Sequence, residues 1–146
     1  MITFLLGGVR SGKSALAVEL GRRHAGPVVF VATCTASDED LAERIARHRS
    51  TRPDWPTIEE PVELATAVEK ADRDALVIVD CLTLWVSNLM LRDDDEAAVT
   101  GAAGQLAGAL LDRPGPAVVV SNEVGLGVHP ESELGRRYRD LLGRAN

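Results

Sequence analysis

The chain has 146 residues, enough for one domain with a substantial core. Its apolar share is 45% while aromatics make only 3%, so the core must be aliphatic. A net charge of −6 argues against nucleic acid as the main partner, and no apolar stretch reaches transmembrane length.

The N-terminus reads straight into an apolar run, Ile2–Leu6, with no signal-peptide pattern, so a cytoplasmic location is expected. That run has the character of a buried strand. Gly7-Gly8-Val9-Arg10-Ser11-Gly12-Lys13-Ser14 follows at once and fits G-x-x-x-x-G-K-[ST]. A helical pattern over Lys13–His24 comes next. Strand, glycine-rich loop and helix N-terminus make an anion cradle, because the glycines let backbone N–H groups converge and the helix dipole favours negative charge. Lys13 would reach the outer phosphates of a nucleotide, and Ser14 would ligate Mg²⁺. His24, before Ala25-Gly26-Pro27, reads as a residue of the helix end.

Further apolar runs at Val28–Ala32, Leu76–Asp80 and Ala117–Ser121 are short and continuous, as in strands buried on both faces. Helical patterns lie between them at Glu39–Arg49, Val62–Ala71, Leu82–Leu91, Ala97–Leu111 and Glu131–Arg144. Ser37-Asp38-Glu39-Asp40 supplies capping and first-turn acids to one helix, and Pro61 suits the first turn of the next. Thr57–Glu59 reads as a short edge strand after the loop Arg52–Pro56. Gly101, Gly104 and Gly108 either weaken their helix or mark close packing. Asp93–Glu96 reads as a solvated turn and helix start rather than a metal site. The alternation predicts an α/β fold: a P-loop (RecA-like) parallel sheet in a single domain over 1–146, with helices on both faces.

Leu76-Val77-Ile78-Val79-Asp80 is an apolar strand ending in a carboxylate, the form in which an acid helps hold Mg²⁺ against phosphates. Leu41, Ile45 and His48 share one helical face, which turns His48 toward the protein. On spacing alone His48 is either a satisfied core histidine on a basic helix, or a nucleophile or base beside a triphosphate. In the second case Arg44, Arg47, Arg49 and Arg52 would neutralise charge. Asn122-Glu123-Val124-Gly125-Leu126-Gly127 follows the last strand, where open α/β sheets bind ligands, and is a plausible wall or an ordinary turn. Trp55 and Trp85 read as packing residues, and His129 carries no assigned role. Cys34 and Cys81 lack metal or disulfide spacing and are expected to be small buried thiols.

These motifs occur in a definite order: Gly7–Ser14, Arg44-Ile45-Ala46-Arg47-His48-Arg49, Arg52-Pro53, Trp55, Thr57, Glu59 and Ser121-Asn122-Glu123-Val124-Gly125. The set resembles the bifunctional adenosylcobinamide kinase/adenosylcobinamide-phosphate guanylyltransferase family of cobalamin biosynthesis over essentially the whole chain. The resemblance implies two reactions. One moves the γ-phosphoryl of ATP or GTP to the hydroxyl of adenosylcobinamide; the other moves GMP from GTP to the resulting phosphate through a GMP–histidine intermediate. It makes His48 the nucleophile, with Lys13 as charge-stabilising partner and Ser14 and Asp80 toward Mg²⁺. It implies nucleotide contacts from Thr33, Arg49, Ser50, Thr51, Arg52, Glu59 and Asp80, and a homo-oligomer, in this family a homotrimer. Similar proteins continue past the Asn146 equivalent with an apolar strand, so a C-terminal strand is expected to be missing here. Leu141 and Leu142 are accordingly expected to be exposed or covered by another subunit.

Two other readings compete. A different P-loop small-molecule kinase would use Lys13, Ser14 and Asp80 but give His48 no covalent role. A RecA-like nucleotide-binding module would need a glutamate beside Asp80, where Cys81-Leu82 stands instead.

Overall fold

The computed structural model describes residues 1–34 and 52–146. In chain order they form β1 (Ile2–Gly7), α1 (Lys13–Arg23), β2 (Val28–Ala32), β3 (Thr57–Glu59), α2 (Leu64–Lys70), β4 (Leu76–Asp80), α3 (Leu82–Leu91), α4 (Glu96–Leu111), β5 (Ala117–Asn122) and α5 (Glu133–Ala145). The helix expected over Glu39–Arg49 lies outside the described residues.

The strands form one sheet in the order β1-β5-β4-β2-β3, and every pairing is parallel. The expected α/β architecture is therefore present. β5 stands between the strand that feeds the glycine-rich loop and the strand that ends in Asp80.

The period-2 alternation of a strand sorts the apolar residues onto two faces. Val28, Phe30, Leu76, Ile78, Val118 and Val120 meet Ala17 of α1 on one side. Val29, Val31, Val77, Val79, Ala117 and Val119 meet α2, α3, α4 and α5 on the other. Trp85 is buried in this second layer, and its indole N–H donates to the Val62 carbonyl at 2.7 Å. Trp55 is half-buried and packs against the α1 side. Both tryptophans are thus packing residues, as expected.

Local chemistry sets the helix ends. The Asp95 carboxylate accepts from the Ala98 N–H and caps α4, while Ser132 accepts from the Gly135 N–H and caps α5. Asp93–Glu96 is thereby a turn and a helix start. The third expected helix begins later than its pattern suggests, at Leu64 rather than near Val62. The Glu60 carboxylate takes the N–H groups of Val62 and Glu63, so the segment after Pro61 stays a turn. Gly101, Gly104 and Gly108 leave α4 unbroken, and a Cβ at any of them would meet nothing within 4 Å, so they mark no close packing.

Two expectations about burial are corrected. β1 is not buried on both faces. It is an edge strand, and Ile2, Phe4 and Leu6 remain 39%, 39% and 46% exposed. Conversely, Leu141 and Leu142 are only 2% and 0% exposed, covered within this chain where α5 packs on α3 and α4. The uncovered apolar stripe belongs to β1, not to α5. The amphipathic α5 places its apolar face on two helices that lie far from it in sequence.

Burial of Leu142 has a measurable consequence. Leu142→Ala should lower unfolding free energy by about 2–5 kcal/mol, because it removes a fully packed side chain and leaves a cavity. Chemical denaturation of the two proteins measures this. A loss near zero would mean that α5 does not pack as described.

Candidate active site at the carboxyl edge of the sheet

β1 ends at Gly7, paired with Asn122 of β5, and the Glu123 N–H donates to the Gly7 carbonyl at 3.0 Å. The chain then turns through Gly8–Gly12 into α1. Gly12, the N-cap of α1, sits at φ 89, a region that glycine enters without the steric cost borne by other residues. Arg10 also takes a left-handed conformation, with φ 58. No side chain caps α1, and no acidic residue lies in its first turn. The helix thus presents open N–H groups and the positive end of its dipole to the loop. The Lys13 ammonium donates to the Gly8 carbonyl at 2.6 Å and to the Ser11 hydroxyl at 3.2 Å, spanning the loop.

This loop forms one wall of an open cavity of about 570 Å³. Val9, Arg10, Ser11, Gly12, Lys13 and Ser14 line it, and Asp80 at the end of β4 faces the same space. Arg52, Thr57 and Glu59 form another wall. The Arg52 guanidinium lies 3.7 Å from the centre of the buried Phe30 ring, a cation–π contact. Its Nη2 donates to the Thr57 hydroxyl at 3.0 Å, and that hydroxyl donates to the Trp55 carbonyl at 3.1 Å. An immobilised cation and a carboxylate, Glu59, thus stand together across the cavity from the loop.

Asn122 and Thr83 close the side nearest β5. The Asn122 N–H donates to the Thr83 hydroxyl at 3.0 Å, and the Tyr138 hydroxyl donates to the Thr83 carbonyl at 3.1 Å. Burial, with the nearby Cys81 as a lesser cause, pushes the Tyr138 hydroxyl up to about 12. It stays protonated and serves as a donor throughout the physiological range.

Most of the expected residues come together here, with exceptions. Gly7 and Gly8 build the loop without lining the cavity. Thr33 does not line it either: its side chain is fully buried and hydrogen-bonded to the backbone of Cys81. Its hydroxyl is engaged by that backbone rather than by the cavity. His48, Arg49, Ser50 and Thr51 lie outside the described residues. Sequence reasoning missed Phe30 and Thr83. Phe30 could have been found from strand alternation, since it shares a face with Ala32 at the carboxyl edge. The thiols also depart from expectation. Cys34 and Cys81 are only partly buried and line the cavity, because each lies within two residues past the last strand residue of β2 or β4.

The profile of the cobinamide kinase / cobinamide phosphate guanyltransferase family matches residues 3–146. The bifunctional adenosylcobalamin biosynthesis protein CobP of Pseudomonas aeruginosa is 45% identical over 145 residues, which cover 98% of this chain and 83% of that protein. The bifunctional adenosylcobalamin biosynthesis protein CobU of Escherichia coli is 34% identical over 160 residues, covering 100% of this chain and 88% of the relative. Its namesake in Salmonella typhimurium is 35% identical over 161 residues, with the same two coverages.

The partly buried thiols provide a test of the cavity. Burial first, then the charge of Asp80, pushes the Cys81 thiol above its ordinary value of 9.0. Its thiolate fraction at pH 8 is smaller than that of a free cysteine, and the thiolate is the reactive form. Alkylation of Cys81 by iodoacetamide should thus be slower than that of free cysteine at pH 8. It should keep accelerating as the pH rises past 9, and saturating GTP should suppress it. Peptide mass spectrometry reads the rates; modification equally fast with and without GTP would place the nucleotide elsewhere.

Proposed function

Because this chain belongs to the cobinamide kinase / cobinamide phosphate guanyltransferase family, we propose that it carries out both reactions of that name at the cavity described above. It phosphorylates adenosylcobinamide with ATP or GTP. It then transfers GMP from GTP to adenosylcobinamide phosphate, giving adenosylcobinamide-GDP. One observation carries this reading beyond family membership: the glycine-rich loop, Asp80, Glu59 and Arg52 all face a single cavity. Arg52 directly follows the segment that contains His48.

In the first reaction the acceptor hydroxyl oxygen forms a bond to the γ-phosphorus while the bond to the β-phosphate oxygen breaks. The nucleoside diphosphate leaves and the hydroxyl proton is released. Lys13 and the loop N–H groups hold the charge that builds on the leaving oxygens. In the second reaction an imidazole nitrogen of His48 attacks the α-phosphorus of GTP, and pyrophosphate departs. A phosphate oxygen of adenosylcobinamide phosphate then attacks the same phosphorus, the P–N bond breaks, and His48 is restored. Arg49, Ser50, Thr51 and Arg52 are assigned to the nucleotide, and Glu59 to a guanine N–H edge or to ribose hydroxyls.

The residues present fit Mg²⁺. Ser14 and Asp80 offer hard oxygen donors to one cavity beside the phosphate loop, the small donor set with which Mg²⁺ joins substrate phosphates. When bound, the ion supplies charge neutralisation between the outer phosphates. We extend the reading to a homotrimer in the cytoplasm that uses no nucleic acid. The exposed apolar side chains of Ile2, Phe4, Leu126 and Val128 support self-association, and the net charge of −6 disfavours nucleic acid. Among the described residues no helix is long and apolar enough to cross a membrane.

Two substitutions separate the steps. Lys13→Ala should lower both transfers by at least about 10²-fold, the usual scale for losing a preorganised donor to transition-state charge. His48→Ala should abolish guanylyl transfer while nucleotide still binds at the loop and part of the phosphorylation survives. Incubation with GTP labelled at the α-phosphate, followed by acid treatment, detects the phosphoramidate. An acid-labile GMP adduct persisting in His48→Ala would exclude His48, and unchanged turnover in Lys13→Ala would exclude the loop.

A further inference from the structure

Thr33 lies one residue beyond the end of β2, where the β2–β4 ladder has stopped at Ala32 and Asp80. Its side chain is fully buried, yet it continues the ladder by other means. The hydroxyl accepts from the Cys81 N–H at 2.9 Å and donates to the Cys81 carbonyl at 2.8 Å. The Thr33 N–H donates to the Asp80 carbonyl at 3.2 Å. One residue therefore holds three backbone groups of the Asp80–Cys81 turn. The Thr33 carbonyl is taken in turn by the Asn88 amide of α3 at 2.9 Å, and the same amide nitrogen donates to the Pro61 carbonyl at 3.0 Å. Pro61 lies two residues after Glu59, the carboxylate of the opposite wall.

We infer that Thr33 is a positioning residue for the nucleotide site, and that with Asn88 it locks the Asp80 turn to the segment that carries Glu59. The inference rests on the reading of Asp80 as a ligand toward the nucleotide-bound cation. Thr33 is fully buried just past the β2–β4 ladder, against the Asp80–Cys81 backbone and Asn88 of α3. A valine would fill the same volume. It would leave the Cys81 N–H without its partner and the Cys81 carbonyl with the Trp85 N–H alone, and a polar group left unpaired away from water is costly. The backbone that aims the Asp80 carboxylate would then relax toward other partners. A ligand acts only within the narrow geometry that its supporting groups enforce.

The test compares the full-length protein with Thr33→Val, Thr33→Ser and Asp80→Asn. Binding of a fluorescent GTP analogue is measured without metal and across a Mn²⁺ titration, well below each melting temperature. Thr33→Val should raise the Mn²⁺ concentration for half-saturation by about 10-fold or more while metal-free binding changes by less than about twofold, and Thr33→Ser should restore the wild-type value. A structural role alone would lower stability without this selective loss and without rescue. Thr33→Val with a wild-type Mn²⁺ response beside an impaired Asp80→Asn overturns the positioning role and leaves Asp80 as ligand. An equal loss of metal-free and metal-dependent binding in Thr33→Val overturns it as well. An unchanged Mn²⁺ response in Asp80→Asn removes the underlying reading and the positioning role with it. Should Thr33→Val fail to fold, Asn88→Ala takes its place. It releases Thr33 from behind and should shift the Mn²⁺ response in the same direction; an unshifted response overturns the inference.

Discussion

Parallel register is the constraint on which the site depends. β1 and β5 are aligned so that Gly7 faces Asn122, and β4 and β5 so that Asp80 faces Val120. β2 then sets Ala32 against both Asp80 and Glu59. All five strands finish at one edge, and their carboxyl ends deliver a phosphate loop, a carboxylate and a second carboxylate to a common level. Adjacent strands lie about 4.8 Å apart, so Gly7 and Asp80, two strands apart, approach the cavity from sides about 10 Å distant. No loop needs to be long to bring them there. A one-residue slip of β4 would instead turn the Asp80 side chain to the opposite face of the sheet.

The electrostatics of that edge follow from what the helices lack. α1 has neither a capping side chain nor a first-turn acid, whereas α4 and α5 each have a side-chain cap and a glutamate in the first turn. α2 and α3 share the lack seen in α1, and only α4 and α5 are neutralised at their N-termini by their own sequence. α1, which begins at the loop, is left with unsatisfied donors facing the cavity. An anion is the natural partner for that end, and the Arg52 cation held flat on Phe30 adds to the same field at low entropic cost.

How much of this was legible in the sequence depended on the range of the interaction concerned. Strands buried on both faces announced themselves as continuous apolar runs, and the phosphate loop by the glycine that φ 89 demands at position 12. These are local constraints. The order of the strands, the covering of Leu141 and Leu142 by α3 and α4, and the exposure of alternate residues on β1 are set by partners dozens of residues away. An apolar pair near a chain end reads the same whether it is covered or bare. Thr33 shows the limit most clearly. A threonine at the carboxyl end of a strand carries the same signal whether its hydroxyl meets a ligand or a neighbouring backbone. Only the register of β2 against β4, with Cys81 one residue past Asp80, decides between them.

The opposite edge of the sheet holds its buried cation in a different way from the cavity edge. Arg113, only 8% exposed, turns its Nη2 to the carbonyls of Asp72, Arg73 and Ala75, at 2.7, 3.2 and 2.8 Å. Gly115 lies so close to these strand-entry turns that a Cβ would stand 2.5 Å from the Ala75 carbonyl oxygen, which excludes any larger residue. Burial pushes the guanidinium down from its ordinary value, but an arginine keeps its charge in proteins. The cation is thus held through Nη2 on backbone carbonyls, with its Nε and Nη1 buried and without partners. Lys13 uses the same interaction, a cation on a backbone carbonyl, at the other edge. There the acceptor is the Gly8 carbonyl in a loop that lines the open cavity. An arriving phosphate can exchange with that carbonyl without unfolding anything. The same pairing therefore seals the amino edge and holds the carboxyl edge ready: it is permanent where backbone closes around the cation and exchangeable where the cation faces solvent.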